Sequence, residues 1–179
     1  VVPSLLAKGG NIVNGRLASN DRVVGTLDSA LRVQSSRNVD EVILINVASN
    51  DERDSSTLLG YTNRASKFLR VPFTVGGGVR RVEEIGELLN FGADKVLLGR
   101  KALASERLLS EAAALYGSQA VTTCIEIEES DVGWRISNLP ERYPENLADY
   151  SRRLEAEGTG EIALFCKSRD GTRDGVLVE

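Results

Sequence analysis

The sequence predicts an α/β protein with a parallel (β/α)8 barrel fold, of which this chain supplies about six βα units. Two observations lead to this prediction. Short, nearly continuous apolar runs alternate along the chain with longer amphipathic segments, which is the pattern of parallel strands covered by helices. The sequence also repeats at an offset of 120 residues, as a tandem pair of half-barrels with four βα units each would.

The repeat is visible in two places. Val39–Leu44 matches Thr159–Leu164, and at the same offset Leu5–Ala7 matches Ile125–Ile127. A complete barrel of eight units needs ~250 residues. We therefore expect residues 1–179 to form a single barrel domain whose C-terminal quarter is missing or lies outside this chain.

The apolar runs and amphipathic segments give the elements in order. The predicted strands are Val1–Leu6, Val42–Val47, Phe73–Val75, Lys95–Leu98, Val121–Ile127 and Ile162–Cys166. The predicted helices are Thr26–Arg37, Thr57–Leu69, Val82–Phe91, Ser105–Tyr116 and Leu147–Glu157. The helix over Val82–Phe91 is the clearest, because its apolar residues recur at helical spacing and Gly92 follows as a stop signal.

Composition limits the class of protein. Of 179 residues, 41% are hydrophobic and 27% are charged, which is typical of a soluble globular domain. The net charge of -4 disfavours a nucleic-acid or anionic-membrane partner. No apolar run approaches the ~20 residues of a membrane helix. We expect a cytoplasmic protein with neither kind of partner.

The absence of histidine limits the chemistry. It excludes Ser-His-Asp and Cys-His catalysis and removes the commonest metal ligand. Cys124 and Cys166 lie in apolar runs without metal-ligand spacing, so we predict buried, reduced thiols. We expect neither a metal nor a cofactor, and acid–base chemistry must come from carboxylates, lysines or tyrosines.

Two loops are candidates for phosphate binding. A predicted strand runs into Gly76, Gly77 and Gly78 and then into a helix, so that backbone N–H groups and the helix dipole can face an anion. The second loop contains Asp170, Gly171 and Thr172, whose Gly and Thr can donate to a phosphate. Either loop could instead be a simple tight turn. The triple glycine is not G-x-G-x-x-G, which disfavours a Rossmann dinucleotide site.

Together these segments resemble the cyclase subunit of imidazole glycerol phosphate synthase. The similarity runs nearly from end to end, in matching order and spacing. The isomerase of the same pathway shares the fold, but the G-S-Q, D-x-G-W and R-D-G-T motifs fit the cyclase better. The matching segments are Val2–Leu6, Phe73–Arg80, Gly92–Val96, Gly117–Gln119, Asp131–Trp134 and Ser168–Gly175.

The resemblance implies a (β/α)8 barrel that receives ammonia from a glutaminase docked at its bottom and delivers it to a phosphorylated small-molecule substrate at its top. It implies an ammonia gate at Glu41, Lys95 and Glu161. A stabilising ion-pair cluster at the base of the barrel is the alternative for these three residues. Asp94 corresponds to a glutaminase contact, or is a solvated loop acid.

Several positions depart from the family pattern. The family uses two aspartates as general acid and base. The corresponding positions here hold Leu6, which cannot transfer a proton, and Glu126. Asn46 stands where the family has a third aspartate, and Asn14 stands where it has a lysine. At the first phosphate site, Gly99 and Arg100 replace the family's Asn-Thr pair, and the guanidinium of Arg100 can still bind phosphate.

The leucine at position 6 also resembles a subgroup of the family. These proteins open with a leucine run followed by Lys-Gly-Gly, as in Leu5–Gly10 here, and are associated with glutamine-dependent amination of sugars for surface polysaccharides. Histidine-pathway cyclisation and sugar amination are therefore both open. The alternative from another class is a non-catalytic barrel that binds phosphorylated ligands or activates a glutaminase.

Overall fold

The computed structural model describes residues 1–16, 19–48, 55–105, 107–131, 133–137 and 146–172. Gly175 and the residues after it, together with Val132 of the D-x-G-W motif, lie outside these ranges. The strands are β1 (Ser4–Lys8), β2 (Asn11–Arg16), β3 (Ser19–Thr26), β4 (Val42–Asn46), β5 (Phe73–Gly76), β6 (Lys95–Leu98), β7 (Val121–Ser130), β8 (Gly133–Ile136) and β9 (Glu161–Cys166). The helices are α1 (Leu27–Ser36), α2 (Ser55–Phe68), α3 (Val82–Asn90), α4 (Arg100–Leu103), α5 (Leu108–Tyr116) and α6 (Leu147–Glu157).

Six strands form a parallel sheet in the order β1-β4-β5-β6-β7-β9. Helices follow β4, β5, β6 and β7 before the next parallel strand begins, and the hairpin of β2 and β3 with α1 separates β1 from β4. This alternation confirms the predicted α/β class and its partial (β/α)8 architecture. Within the described ranges, no helix combines the length and apolar character needed to span a lipid bilayer.

Local sequence signals explain where the helices begin. Thr26 caps α1 by accepting a hydrogen bond from the Ser29 N–H, and Asn146 caps α6 through the Asp149 N–H. The prediction for α5 was wrong at its start. The structure begins that helix at Leu108 instead of Ser105, because the short helix α4 occupies Arg100–Leu103 immediately before it.

Antiparallel extensions at the strand ends were not predicted. β2 and β3 form a hairpin that continues from β1, and β8 folds back on the end of β7. Both extensions lie beyond the carboxyl ends of parallel strands, so they build up that rim of the sheet. The predicted strand β7 therefore runs three residues further than expected, to Ser130.

The offset of 120 residues recurs in the strand register. Leu6 of β1 lies opposite Ile45 of β4, and 120 residues later Glu126 of β7 lies opposite Phe165 of β9. The sequence repeat thus coincides with a repeat of strand pairing, as a tandem duplication would produce; the duplication itself, and the completeness of the domain, stay predictions.

The two faces of the sheet differ. Alternate strand residues face the helices and form the main apolar core with them, as do Val42, Leu44, Val75 and Val96. The intervening residues of the same strands lie on the opposite face, which in a barrel is the interior. This second set is more polar and includes Thr74, Lys95, Thr122, Cys124 and Glu126.

Candidate functional site

The candidate residues separate onto two rims. Because the six strands are parallel, their carboxyl ends share one rim and their amino ends share the other. The carboxyl rim carries the glycine loop after β5, Arg100 after β6, Glu126 on β7 and the loop after β9. The amino rim carries Asp94 and the three charged residues Glu41, Lys95 and Glu161, each at or just before a strand start.

Glu126 is the candidate acid–base residue of the carboxyl rim and lies on β7. Its side chain is 27% exposed and has two cations near the same oxygen, Oε2. The Arg100 Nη2 lies 3.6 Å from that oxygen, and the Lys167 Nζ lies 3.7 Å from it. Both distances exceed the ~2.7–2.9 Å of a charge-assisted hydrogen bond, so these two contacts are electrostatic attractions across a gap.

Arg100 faces Glu126 from the start of α4. Its Nη2 also donates to the Ser137 carbonyl oxygen at 3.4 Å, just beyond β8. The guanidinium is 57% exposed, so most of its donors face solvent at the mouth. The structure thus brings Arg100 to the candidate acid–base residue.

The glycine loop has a conformation that only glycine adopts easily. Gly77 and Gly78 have φ values of 104° and 95°. A Cβ atom on Gly77 would collide with the backbone of Asn46, so the loop packs directly on the end of β4. Within the described ranges, neither glycine N–H donates to a backbone carbonyl oxygen.

The two residues before the helix that follows this loop donate to an internal carboxylate. The Glu84 carboxylate accepts hydrogen bonds from the Arg80 and Arg81 N–H groups at 2.8 and 3.2 Å. An internal anion thus lies beside the N-terminus of α3. The phosphate-binding role of the glycine loop stays a prediction.

The loop after β9 forms a compact turn. Lys167–Arg169 make a single 3-10 turn, and Gly171 follows with a φ of 68°. The Thr172 hydroxyl donates to the Arg169 carbonyl oxygen at 3.0 Å, so in this state its oxygen is an acceptor rather than the predicted donor. Arg169 pairs with Glu129 at 3.0 Å and ties the loop to β7.

On the amino rim, Lys95 joins two carboxylates. Its Nζ lies 2.9 Å from Glu41 Oε2 and 2.6 Å from Glu161 Oε1, and Thr74 donates its hydroxyl to the other Glu41 oxygen at 2.5 Å. Lys95 and Glu41 are each 18% exposed. Burial by itself lowers the pKa of Lys95, but the hydrogen bonds and charges of Glu161 and Glu41 outweigh it and raise the pKa above its ordinary value.

Asp94 has a local structural role beside this cluster. Its carboxylate accepts a hydrogen bond from the Phe73 N–H at 2.8 Å, and its own N–H donates to the Phe73 carbonyl oxygen at 3.0 Å. The residue thereby fixes the start of β5 next to β6. Its side chain stays exposed at the amino rim.

Three other positions that depart from the family pattern carry side chains without a titratable group. Leu6 is half-buried on β1 and contributes no titratable group. Asn46 is buried, with its Oδ1 accepting the Ala48 N–H at 3.1 Å and its Nδ2 without a partner. Asn14 lies exposed on the hairpin strand β2.

Both cysteines are free thiols and are half-buried, not fully buried as predicted. Cys124 shares the polar sheet face with Glu126, two residues before it on β7. Burial raises the pKa of the Cys124 thiol to about 11, and the negative charge of Glu126 adds to this effect. The thiol is therefore a poor nucleophile at neutral pH.

Lys167 is the residue of this site that the sequence did not single out. The only signal in the sequence is its place directly after an apolar strand. Surface lysines are common at such positions, and only the register between β7 and β9 shows that this one faces Glu126. In the part of the chain that the structure describes, no group of three or more Cys, Asp or Glu side chains is placed to hold a metal ion.

Comparison with known proteins agrees with this arrangement. The sequence model of the family described as "Histidine biosynthesis protein" matches residues 1–179. The chain belongs to this family. The match agrees with the fold, because the histidine biosynthesis family has the (β/α)8 barrel that the six parallel strands form in part.

One curated relative extends the comparison. The chain is 30% identical over 181 residues to the imidazole glycerol phosphate synthase subunit HisF of Flavobacterium johnsoniae. That alignment covers 100% of this chain and 72% of the relative. The predicted resemblance to the cyclase subunit is thus confirmed at the level of the family.

Proposed function

We propose that this chain is a cyclase-type subunit that takes ammonia from a glutaminase partner and adds it to a phosphorylated, sugar-derived acceptor. One observation carries the proposal. Glu126, a carboxylate flanked by cations, lies at the same rim as two glycine turns, while a partly buried cluster of charges lies at the opposite rim. Family membership and similarity to a HisF subunit support the same reaction class.

At the carboxyl rim, Glu126 is the group that moves protons during ammonia addition. A carboxylate in this position can take a proton from the attacking nitrogen and later return it to a leaving oxygen. Gly77, Gly78 and Arg100 hold one phosphate, and Asp170, Gly171 and Thr172 shape the turn that holds the other. Holding the acceptor at both ends fixes its reacting carbon near Glu126.

At the amino rim, Glu41, Lys95 and Glu161 form the ammonia entrance. In the observed state the Lys95 ammonium group bridges both carboxylates, so the ion pairs close this end of the sheet. Ammonia passes when Lys95 turns away from one of them, and the half-exposed Glu161 is the partner that solvent can replace more easily. Asp94 lies exposed beside the cluster and is the proposed contact to the glutaminase.

Two classes of molecule are candidates for the ammonia acceptor. One is the ring-closing substrate of histidine biosynthesis, and the other is a sugar aminated for surface polysaccharide. Ring closure as the family performs it uses two acids, and the structure has a half-buried leucine at the first of them, Leu6. This observation favours a simpler amination, for which one carboxylate suffices.

The test supplies ammonium salt directly, so that the chemistry of this chain is measured without a partner. We expect turnover of one of the two acceptor classes, and a loss of ~10²–10⁴-fold in Glu126→Gln because its amide cannot accept a proton. Glu111→Gln, on the exposed outer surface of α5, is the matched control and should keep full activity. Full activity in Glu126→Gln would remove this residue from the mechanism.

A second candidate function is a barrel that activates a glutaminase without chemistry of its own. Leu6 favours it, because only one of the two positions at which the family has its acids, Glu126, then carries a carboxylate. The test mixes the chain with a glutaminase subunit of an imidazole glycerol phosphate synthase and measures glutamine hydrolysis. Faster hydrolysis together with no ammonium-dependent turnover of any acceptor would establish the activator and exclude the synthase.

A further inference from the structure

Lys167 lies on the same face of the sheet as Glu126. It follows Glu161, Ala163 and Phe165 at the two-residue spacing of strand β9, and Phe165 is the register partner of Glu126. The Lys167 side chain is 35% exposed, and within the described ranges Glu126 is the carboxylate that it approaches within ion-pair distance. Lys167 is thus a cation of the mouth.

Two cations share one carboxylate there. Arg100 and Lys167 both approach the Oε2 atom of Glu126, from α4 and from the turn after β9 respectively. The three side chains together carry one excess positive charge. Arg100 offers a planar fork of donors and Lys167 offers three more, and a single carboxylate at these distances satisfies few of them.

The spacing of the two cations suits a phosphate. Their nitrogen atoms cannot be farther apart than the sum of the two distances to Oε2, 3.6 and 3.7 Å. A phosphate group with charge-assisted hydrogen bonds of ~2.8 Å on either side spans such a gap. As a dianion it also balances both positive charges of the cation pair by itself.

We infer that Lys167 joins Arg100 in a phosphate subsite at the mouth, where it binds the phosphate assigned above to Arg100, and that Glu126 is an internal anion competing for the same two cations. The inference rests on the proposed function, because it names the group of the acceptor that this site takes. Lys167 becomes a specificity-determining residue for phosphorylated acceptors.

The competition has a consequence for Glu126. A phosphate bound between the cations replaces the carboxylate as their partner, and like charges then push Glu126 away from it. The carboxylate is released for proton transfer only when a phosphorylated molecule is present. The ion pairs of Glu126 with Arg100 and Lys167 are accordingly the contacts that a bound phosphate replaces.

The experiment titrates inorganic phosphate into the full chain and follows backbone amide signals by NMR. The signals of Arg100 and Lys167 report this subsite, and those of Gly78 and Gly171 report the two glycine turns. We expect Lys167→Met and Arg100→Met each to weaken binding at the subsite by ~10-fold, because each removes a charge-assisted contact. Glu126→Gln should instead tighten it several-fold, because the competing anion is gone.

Matched variants separate charge from folding. Lys101→Met removes an exposed lysine next to Arg100 and should leave binding unchanged, and Lys167→Arg should restore most of the affinity lost in Lys167→Met. Unchanged or weaker phosphate binding in Glu126→Gln would overturn the proposal that Glu126 competes with phosphate for the two cations. Phosphate shifts confined to the glycine turns, or no shift at all, would overturn the subsite. Because binding is measured without turnover, ammonium-dependent activity with no phosphate at Lys167 would leave the proposed function standing.

Discussion

The two rims of the sheet carry similar charged groups in different arrangements. At the amino rim one lysine holds two carboxylates at 2.6 and 2.9 Å. At the carboxyl rim one carboxylate has two cations at 3.6 and 3.7 Å. The amino cluster has one excess negative charge, and the carboxyl cluster has one excess positive charge.

The difference reflects where the side chains are attached. The amino cluster stands on strand starts, where the backbone ladder fixes each residue, and Lys95 and Glu41 are largely shielded from water. In the carboxyl cluster, Arg100 begins the short helix α4 and Lys167 begins a 3-10 turn, and both side chains are more exposed. A tight, shielded cluster contributes to stability, whereas a loose and exposed one remains open to a ligand.

The largest expected effect concerns the backbone of the carboxyl rim. Gly77→Ala should lower the free energy of unfolding by ~3 kcal/mol or more, because a Cβ atom at a φ of 104° is strained and also collides with the Asn46 backbone. Gly60→Ala is the control in α2, where a Cβ atom meets nothing within 4 Å and alanine favours the helix by ~1 kcal/mol. Urea denaturation measures both, and equal stability of the two variants would contradict the fitted loop.

The thiol between the two rims reports on the charge of Glu126. A pKa of about 11, against an ordinary 9.0, lowers the thiolate fraction of Cys124 at neutral pH by ~100-fold. Alkylation followed by peptide mass spectrometry should therefore show slow modification of Cys124. Removing the nearby charge in Glu126→Gln should speed it. Modification of Cys124 as fast as in the unfolded chain would contradict the burial of this thiol.

The amino cluster should matter for stability. Lys95→Met leaves Glu41 and Glu161 facing each other without a cation, and we expect a loss of about 1–3 kcal/mol, less than for a fully buried pair because Glu161 is half exposed. Because folding raises the pKa of Lys95 above its ordinary 10.5, its contribution is complete below that pH and declines as the pH rises through the higher folded value.

Denaturation of the wild type and of Lys95→Met at several pH values checks this sign. The difference in free energy of unfolding between the two proteins should stay constant from neutral pH to ~10 and shrink only above it. Lys101→Met, which removes an exposed lysine on α4, should change stability by less than ~0.5 kcal/mol at every pH. A difference that shrinks well below pH 10 would mean that Lys95 does not bridge the two carboxylates.

The smallest effect is expected at the carboxyl rim. Lys167→Met should change the free energy of unfolding by less than ~0.5 kcal/mol, because an exposed pair at 3.7 Å contributes little. The same substitution of lysine by methionine then affects a different property at each rim. It lowers stability at Lys95 and weakens phosphate binding at Lys167. Equal destabilisation at both positions would remove the distinction between the clusters.

Much of the fold was predictable because its signals are local. The apolar runs gave the six parallel strands, and Thr26 marked the start of α1. The hairpin of β2 and β3 was missed because its strands mix asparagine, arginine and glycine with few apolar residues, and only pairing with β1 organises them. The helix α4 was missed because four residues carry too little periodicity to be recognised.

The candidate site was predictable to a smaller degree. Glu41 and Lys95 could be placed on a common rim because each lies at or just before the start of a predicted strand. The relation of Lys167 to Glu126 could not be predicted, because it depends on pairing between strand residues 39 apart in sequence, such as Glu126 and Phe165. The hydrogen bond from the Arg80 N–H to Glu84 was likewise invisible, since it depends on a side-chain conformation.

By itself the sequence determined the parallel α/β class, the order of the six parallel strands and the main helices, and the rim on which candidates such as Glu41, Lys95 and the glycine loop stand. These properties follow from hydrophobic periodicity and chain direction, which neighbouring residues specify. Only the tertiary structure decided that Lys95 is hydrogen-bonded to two carboxylates, whereas Glu126 lies 3.6 and 3.7 Å from the cations of Arg100 and Lys167. Such distances depend on strand register and packing, which bring together residues from separate βα units.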